Sequence, residues 1–197
     1  MCPQEKRKME RTGNNLNNMS YIQLFTLILN MAILSIASYN SNGFAIDRMK
    51  IFDELSKTHT FTLIQEHWLL PNQLDKISDI PNICHHGISG MPGGSLLTGR
   101  PYGGCAIIWS DTFKGKVEPV MLQSTRVCAV VISFGTKHIL LANVYMPVDT
   151  ISNRQNFEEY NTILHEIINL CEHSNFSDVI VGGDFNTDTS RLDSLHT

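Results

Sequence analysis

VIVGGDFNTD, residues 179–188, sets an apolar run against two glycines and follows it with a carboxylate, Asp184, and an amide, Asn186, two positions apart. Side chains alternate across a strand, so two polar groups at that spacing share a face if extended backbone persists through them. In α/β proteins, ligands sit at the carboxyl ends of sheet strands. Three other apolar runs close in the same way. ILSIASYNSN (33–42) ends in Asn40 and Asn42, FTLIQEHW (61–68) in Glu66, and LLANVYMP (140–147) in Tyr145. If these four strands are neighbours with their ends together, their polar tips converge on one cleft.

The rest of the chain supplies elements that could arrange them so. Ile46, Met49, Phe52 and Leu55 recur near helical spacing and predict a helix over 45–57. Residues 71–103 are rich in Pro, Gly and Ser and read as a long surface region with a short helix near 73–77. Strands are expected at 33–39, 61–65, 105–109, 116–121, 126–134, 138–145 and 178–181, with a hairpin turn at Gly135-Thr136. Ser152 and Gln155 fit a capping box, and Phe157, Tyr160, Leu164, Ile167 and Cys171 give the following helix its apolar face. A β-α-β start, a β-rich middle and a closing α-β unit predict an α/β sandwich of layered sheets.

The chain has 197 residues, enough for one domain with a full core, and its net charge of -4 advertises no global attraction to nucleic acid. A local excess of positive charge lies in Arg100, Lys114, Lys116 and Arg126, set against Asp111 and Glu118; taken singly, each fits a solvated face. The five cysteines are odd in number and scattered, without metal-ligand spacing, which reads as reduced, mostly buried thiols of an intracellular protein. Residues 1–32 read as a loosely ordered extension and 33–197 as the domain. Within them, 21–37 follow a basic segment and have the make-up of a signal peptide or anchor, but cleavage after Ala37 would remove the first core strand. A nuclear or cytoplasmic location with no stable membrane partner is expected.

Glu66, Asp184 and the amides form a hard-oxygen donor set with no thiolate or imidazole cluster, which suits Mg²⁺ or Mn²⁺ rather than zinc. Such an ion polarises a phosphoryl oxygen while a carboxylate orients the attacking water, and Tyr145 could donate a hydrogen bond to the developing charge.

SYNSNG, IQEHW, NVYMP and GGDFN, in that order, resemble the endonuclease/exonuclease/phosphatase superfamily. With QEHWL and GRPYGGCAIIW, the resemblance narrows to the endonuclease domain of non-LTR (LINE-type) retrotransposon polyproteins and covers about residues 33–193. It implies a four-layer α/β sandwich and Mg²⁺-dependent nicking of DNA, with a reverse transcriptase elsewhere in the same polyprotein as partner. It assigns Glu66 as the principal metal ligand with Asn40 assisting at metal and phosphate. Asp184 then orients or deprotonates the water, Asn186 positions it, and Tyr145 stabilises the transition state. Asn42, Arg100 and Arg126 are candidates for substrate contact. Full members carry a later Ser-Asp-His segment that has no counterpart after Asn186, and His196 is too close to serve. The resemblance therefore implies a C-terminally incomplete domain with little nicking activity.

Two other readings stand beside it. One is a phosphoesterase acting on a small or lipid-linked phosphate; the other is a non-catalytic nucleic-acid-binding remnant. Beside Glu66, Trp68 is expected to pack in the core with His67 as its polar neighbour. His85-His86 and 89–104 are expected in a flexible loop, with a DNA groove as the alternative.

Overall fold

The computed structural model describes residues 22–29, 32–91, 99–113, 115–148, 154–172 and 176–187. In chain order the elements are β1 (Ile22–Leu29), β2 (Ala32–Asn40), α1 (Ile46–Thr58), β3 (Phe61–Gln65), a 3₁₀ helix (Pro71–Asp79), β4 (Ile83–Ile88), β5 (Cys105–Ser110), β6 (Lys116–Val120), β7 (Val127–Phe134), β8 (Lys137–Tyr145), α2 (Arg154–Glu172) and β9 (Asp178–Asp184). They build two sheets, ordered β1-β2-β3-β5-β4 and β6-β7-β8-β9.

Each sheet contains one β-α-β unit. A helix long enough to cross back lets two strands pair in parallel, so α1 makes β2 parallel to β3 and α2 makes β8 parallel to β9. The remaining pairs are antiparallel. The parallel pairs matter for function, because each brings two carboxyl-terminal strand ends side by side.

Three apolar cores separate the layers. Leu34, Ile36, Phe61, Leu63 and Ile107 of the first sheet meet Val130, Ile132, Ile139 and Leu141 of the second. On the outer face of the first sheet, Tyr39, Ile64 and Ile108 pack against Phe52 and Leu55 of α1 and Ile77 of the 3₁₀ helix. On the outer face of the second, Ala129, Leu140 and Ala142 pack against Ile163 and Ile167 of α2. The layers therefore run helix, sheet, sheet, helix, as expected. Leu63 is fully buried between the sheets, where truncation to alanine costs about 2–5 kcal/mol.

Several expectations change. Residues 22–29, expected within a loosely ordered extension, form strand β1, paired with β2 from Ile22↔Tyr39 to Leu29↔Ala32. The aromatic and β-branched residues of IQLFTLIL suit a pleated surface. No helix among the described residues is long and apolar enough to cross a membrane. The region 71–103 holds a nine-residue 3₁₀ helix and strand β4, so His85 and His86 lie in a sheet rather than a loop. Residues 92–98 fall outside the described residues, as do Ser152 of the capping box and Lys114. On α2, Phe157 is 60% exposed and Ile163 takes the buried place beside Ile167. Cys105 and Cys128 are buried as expected, but Cys84 is exposed.

Candidate active site

The layer between the sheets changes character along the strands. In β3 every second residue faces the other sheet: Phe61, Leu63, then Gln65. In β8 the same face carries Ile139, Leu141 and Asn143. The apolar core thus gives way, near the carboxyl ends, to a buried polar bridge. Asn143, 0% exposed, accepts a hydrogen bond from Gln65 Nε2 at 2.6 Å and donates to the carbonyls of Ile64 and Ala106, both at 2.8 Å. Gln65 Nε2 also donates to Ser38 Oγ of β2 at 3.1 Å. β2, β3, β5 and β8 are therefore tied together one residue below the predicted site. A buried polar group left unpaired costs about 1–3 kcal/mol, so this bridge fixes how the sheets register.

Above the bridge the predicted residues meet. The amide nitrogen of Asn40 donates to Glu66 Oε1 at 2.7 Å and to Asp184 Oδ2 at 2.8 Å. One side chain at the end of β2 therefore joins a carboxylate following β3 to one ending β9 in the other sheet. Tyr145 lies at the end of β8, opposite Asp184 in the β8–β9 pairing and beside Glu66. Burial first, and the Glu66 charge second, raise the Tyr145 phenol above its ordinary value. It stays a protonated donor at neutral pH.

Asn42 and Asn186 lie past the extended part of their strands. Strand geometry does not persist through them: both have left-handed backbone, at φ 50° and 46°. Each turns its backbone N–H onto the polar side chain two residues earlier. Asn42 donates to Asn40 Oδ1 at 3.2 Å, and Asn186 to Asp184 Oδ1 at 3.1 Å. The same local turn, open to a residue that tolerates positive φ, closes both strands. The Asn186 side chain then reaches the Met146 carbonyl at 2.8 Å, which ties β9 to the residues after β8.

The segment after β3 reverses the expected roles of its neighbours. Glu66 and Trp68 both lie at positive φ, 56° and 59°. Backbone strain of this kind, costing on the order of 1–3 kcal/mol, persists only where the surroundings enforce it. Here Glu66 N–H donates to Gly104 O at 2.9 Å, Trp68 N–H to Gly103 O at 3.0 Å, and Gly43 N–H to Glu66 O at 2.7 Å. As a result His67, not Trp68, enters the core, with 1% exposure. Its Nδ1 accepts from Leu69 N–H at 3.0 Å, which leaves Nε2–H to donate to Ile88 O at 3.0 Å. Burial pushes the His67 pKa down to about 4, so the ring is neutral. Trp68 is partly buried, and its indole N–H points to Glu66 Oε2 at 3.4 Å. Its ring lies against Gly43, where a Cβ would come within 2.9 Å, and under the guanidinium of Arg100 at 4.1 Å.

The basic residues do not form one patch. Lys116 pairs with Glu118 at 2.8 Å on β6. Arg100 and Arg126 instead flank the site, Arg126 lying 5.2 Å from the Tyr145 ring centroid and bonded through Nε to Glu159 at 2.9 Å. Sequence reading missed the bridge, the Trp68 bond and Glu159. The first had a signal, since Ser38, Gln65 and Asn143 break otherwise apolar inward positions.

The donor set fits a hard divalent cation. Glu66 and Asp184, hard oxygen donors, converge on a single amide, and among the described residues no group of three or more His, Cys, Asp or Glu comes together around a metal position. Asn40 presents its amino group to the carboxylates while its oxygen accepts from Asn42.

No protein-family model and no curated protein matches the sequence. The structure, however, is similar to several solved ones. The 3′ phosphatase NExo from Neisseria bound to a product DNA hairpin is 17% identical, with a TM-score of 0.54 over 77% of this chain and 57% of that one. The endonuclease domain of TRAS1, a telomere-specific non-LTR retrotransposon, is 16% identical, with a TM-score of 0.54 over 79% and 61%. The mannosyl-6-phosphatase Bt3783 from Bacteroides thetaiotaomicron is 18% identical, with a TM-score of 0.53 over 80% and 67%. The chain shares its fold with these solved structures. The chain spans 57% of the length of the Neisseria phosphatase and 61% of the TRAS1 domain.

Proposed function

We propose that this chain, having the fold of those enzymes, carries a metal-dependent phosphodiesterase site that acts on DNA. One observation carries the reading: the Asn40 amide gathers Glu66 and Asp184 from two different sheets at coincident strand ends. Cores do not assemble paired carboxylates without a cation or donor to balance them. Glu66, with Asn40 beside it, would hold Mg²⁺ or Mn²⁺. When bound, the ion supplies Lewis-acid polarisation of a phosphoryl oxygen.

The residues supply the rest. Asp184, held at Oδ1 by Asn186 N–H and at Oδ2 by Asn40, is positioned to accept a proton from an attacking water. Tyr145 stays protonated and presents a hydroxyl donor beside Glu66 for the charge that builds on the phosphoryl oxygens. DNA is favoured as substrate by the retroelement-type motifs and by the DNA-processing enzymes that share the fold; in an intact retroelement the nick would prime reverse transcription. A small-phosphate substrate is the second reading, favoured by the same fold in a mannosyl-6-phosphatase.

The test reads metal binding first and turnover second. Calorimetric titration with Mg²⁺ should show saturable binding that Glu66→Ala abolishes. Supercoiled plasmid and a sugar phosphate are then offered in parallel; nicking that requires Mg²⁺ and Glu66 supports the DNA reading. Mg²⁺ binding indifferent to Glu66→Ala would sink the proposed site.

A further inference from the structure

Beside Tyr145 lies a recess of about 190 Å³ lined by Gly90, Tyr102, Gly103, Thr125, Arg126 and Glu159. It adjoins the site directly. Gly103, at φ 65°, lies so near Tyr145 that a Cβ there would come within 3.9 Å of Cε1, and the Arg126 guanidinium lies 5.2 Å from the same ring's centroid. One wall is bare peptide, since a Cβ on Gly90 would meet Tyr102 O and Gly104 N at 2.7 Å. Tyr102 is 55% exposed at the rim.

The charged pair inside is only half used. Arg126 Nε donates to Glu159 Oε1 at 2.9 Å, and among the described residues no further hydrogen bond is made by the Arg126 terminal nitrogens or by the second Glu159 oxygen. These groups suit particular occupants. A phosphate would face the Glu159 carboxylate, and an aliphatic group would leave both charges desolvated. A flat ring with an amino donor beside an acceptor satisfies both, with an aromatic face at the rim.

We propose that this recess is a nucleobase subsite, holding the base of a nucleotide next to the phosphate bound at Glu66 and Asp184 and preferring bases with an exocyclic amino group. The assignment rests on the DNA reading above. Cytosine gives its amino hydrogen to Glu159 and accepts from Arg126 at its ring nitrogen and carbonyl. Thymine offers a single N–H flanked by two carbonyl oxygens, which a carboxylate repels.

Fluorescence anisotropy tests this with single-stranded dC and dT oligonucleotides of about ten nucleotides, carrying phosphorothioate linkages, in Mg²⁺. The wild type should bind dC about tenfold tighter than dT, and Glu159→Gln should erase the difference. Tyr102→Ala, at an exposed rim position, should weaken both about tenfold while keeping the preference. Equal binding of dC and dT, or a preference that survives Glu159→Gln, overturns the subsite and leaves plasmid nicking as the separate measure of the phosphodiesterase. Failure to bind any oligonucleotide while Mg²⁺ still binds overturns the DNA reading and the subsite together.

Discussion

Acid should destabilise this protein through His67 before it titrates most carboxylates. The ring is buried among backbone groups, and its pKa of about 4 lies below the ordinary histidine value of 6.5. Between those values the unfolded chain takes up a proton that the folded chain refuses, so protonation favours unfolding. The His67 contribution is therefore complete above pH 6.5 and is lost as pH falls toward 4. A difference of this size is worth on the order of 3 kcal/mol in total, and about 2 kcal/mol of it should be gone at pH 5. Urea unfolding at pH 7.5 and pH 5 should show that loss. His85 and His86 are also shifted down by burial and add to it in the same direction. The comparison that isolates His67 is His67→Phe, which leaves Leu69 N–H and Ile88 O without their partner and so starts lower at pH 7.5. Its pH 7.5 to pH 5 loss should be smaller than the wild type's by about 2 kcal/mol. An NMR titration placing the folded His67 pKa above 6, or equal losses in both proteins, would refute the reasoning.

Other substitutions probe the bridge and the strained segment. Asn143→Leu strips partners from Gln65 and from two buried carbonyls and should cost about 3 kcal/mol or more in urea unfolding, with weakened Mg²⁺ binding because Glu66 follows Gln65. Gly104→Ala drives a Cβ into clash with the His67 ring at a backbone φ of 89°; a loss of about 3 kcal/mol or more, read by thermal melting, is expected. Trp68→Phe keeps an aromatic ring under Arg100 but deletes the indole donor to Glu66, so calorimetry should show Mg²⁺ affinity falling about tenfold with the melting temperature nearly unchanged.

The layered architecture and the convergence of Asn40, Glu66, Tyr145 and Asp184 were legible because strand alternation and helix periodicity are local signals. Their limit shows at the strand ends. The two-residue repeat predicts sides only while the backbone stays extended, and it fails where φ turns positive at Asn42, Glu66, Trp68 and Asn186. That is why His67 and Trp68 exchanged places, and why Asn42 and Asn186 turn their N–H groups onto Asn40 and Asp184. Strand β4 escaped for another reason. Its Cys84-His85-His86-Gly87 centre has no apolar alternation, and it is a strand because β5 offers it a partner, from Ile83↔Ser110 to Ile88↔Cys105. Pairing with a distant segment leaves no mark on the local sequence.

The bond from Asn40 to Asp184 spans 144 positions of chain. Such a closure is formed against a large loop entropy and belongs to the slow, non-local part of folding. During synthesis, β2 and β3 can pair while the second sheet is still unmade, but Glu66 then has only half of its surroundings. Affinity for a divalent cation should arise abruptly, once residue 186 has left the ribosome and β9 has docked beside β8. A metal-sensitive probe on nascent chains of increasing length would see that step.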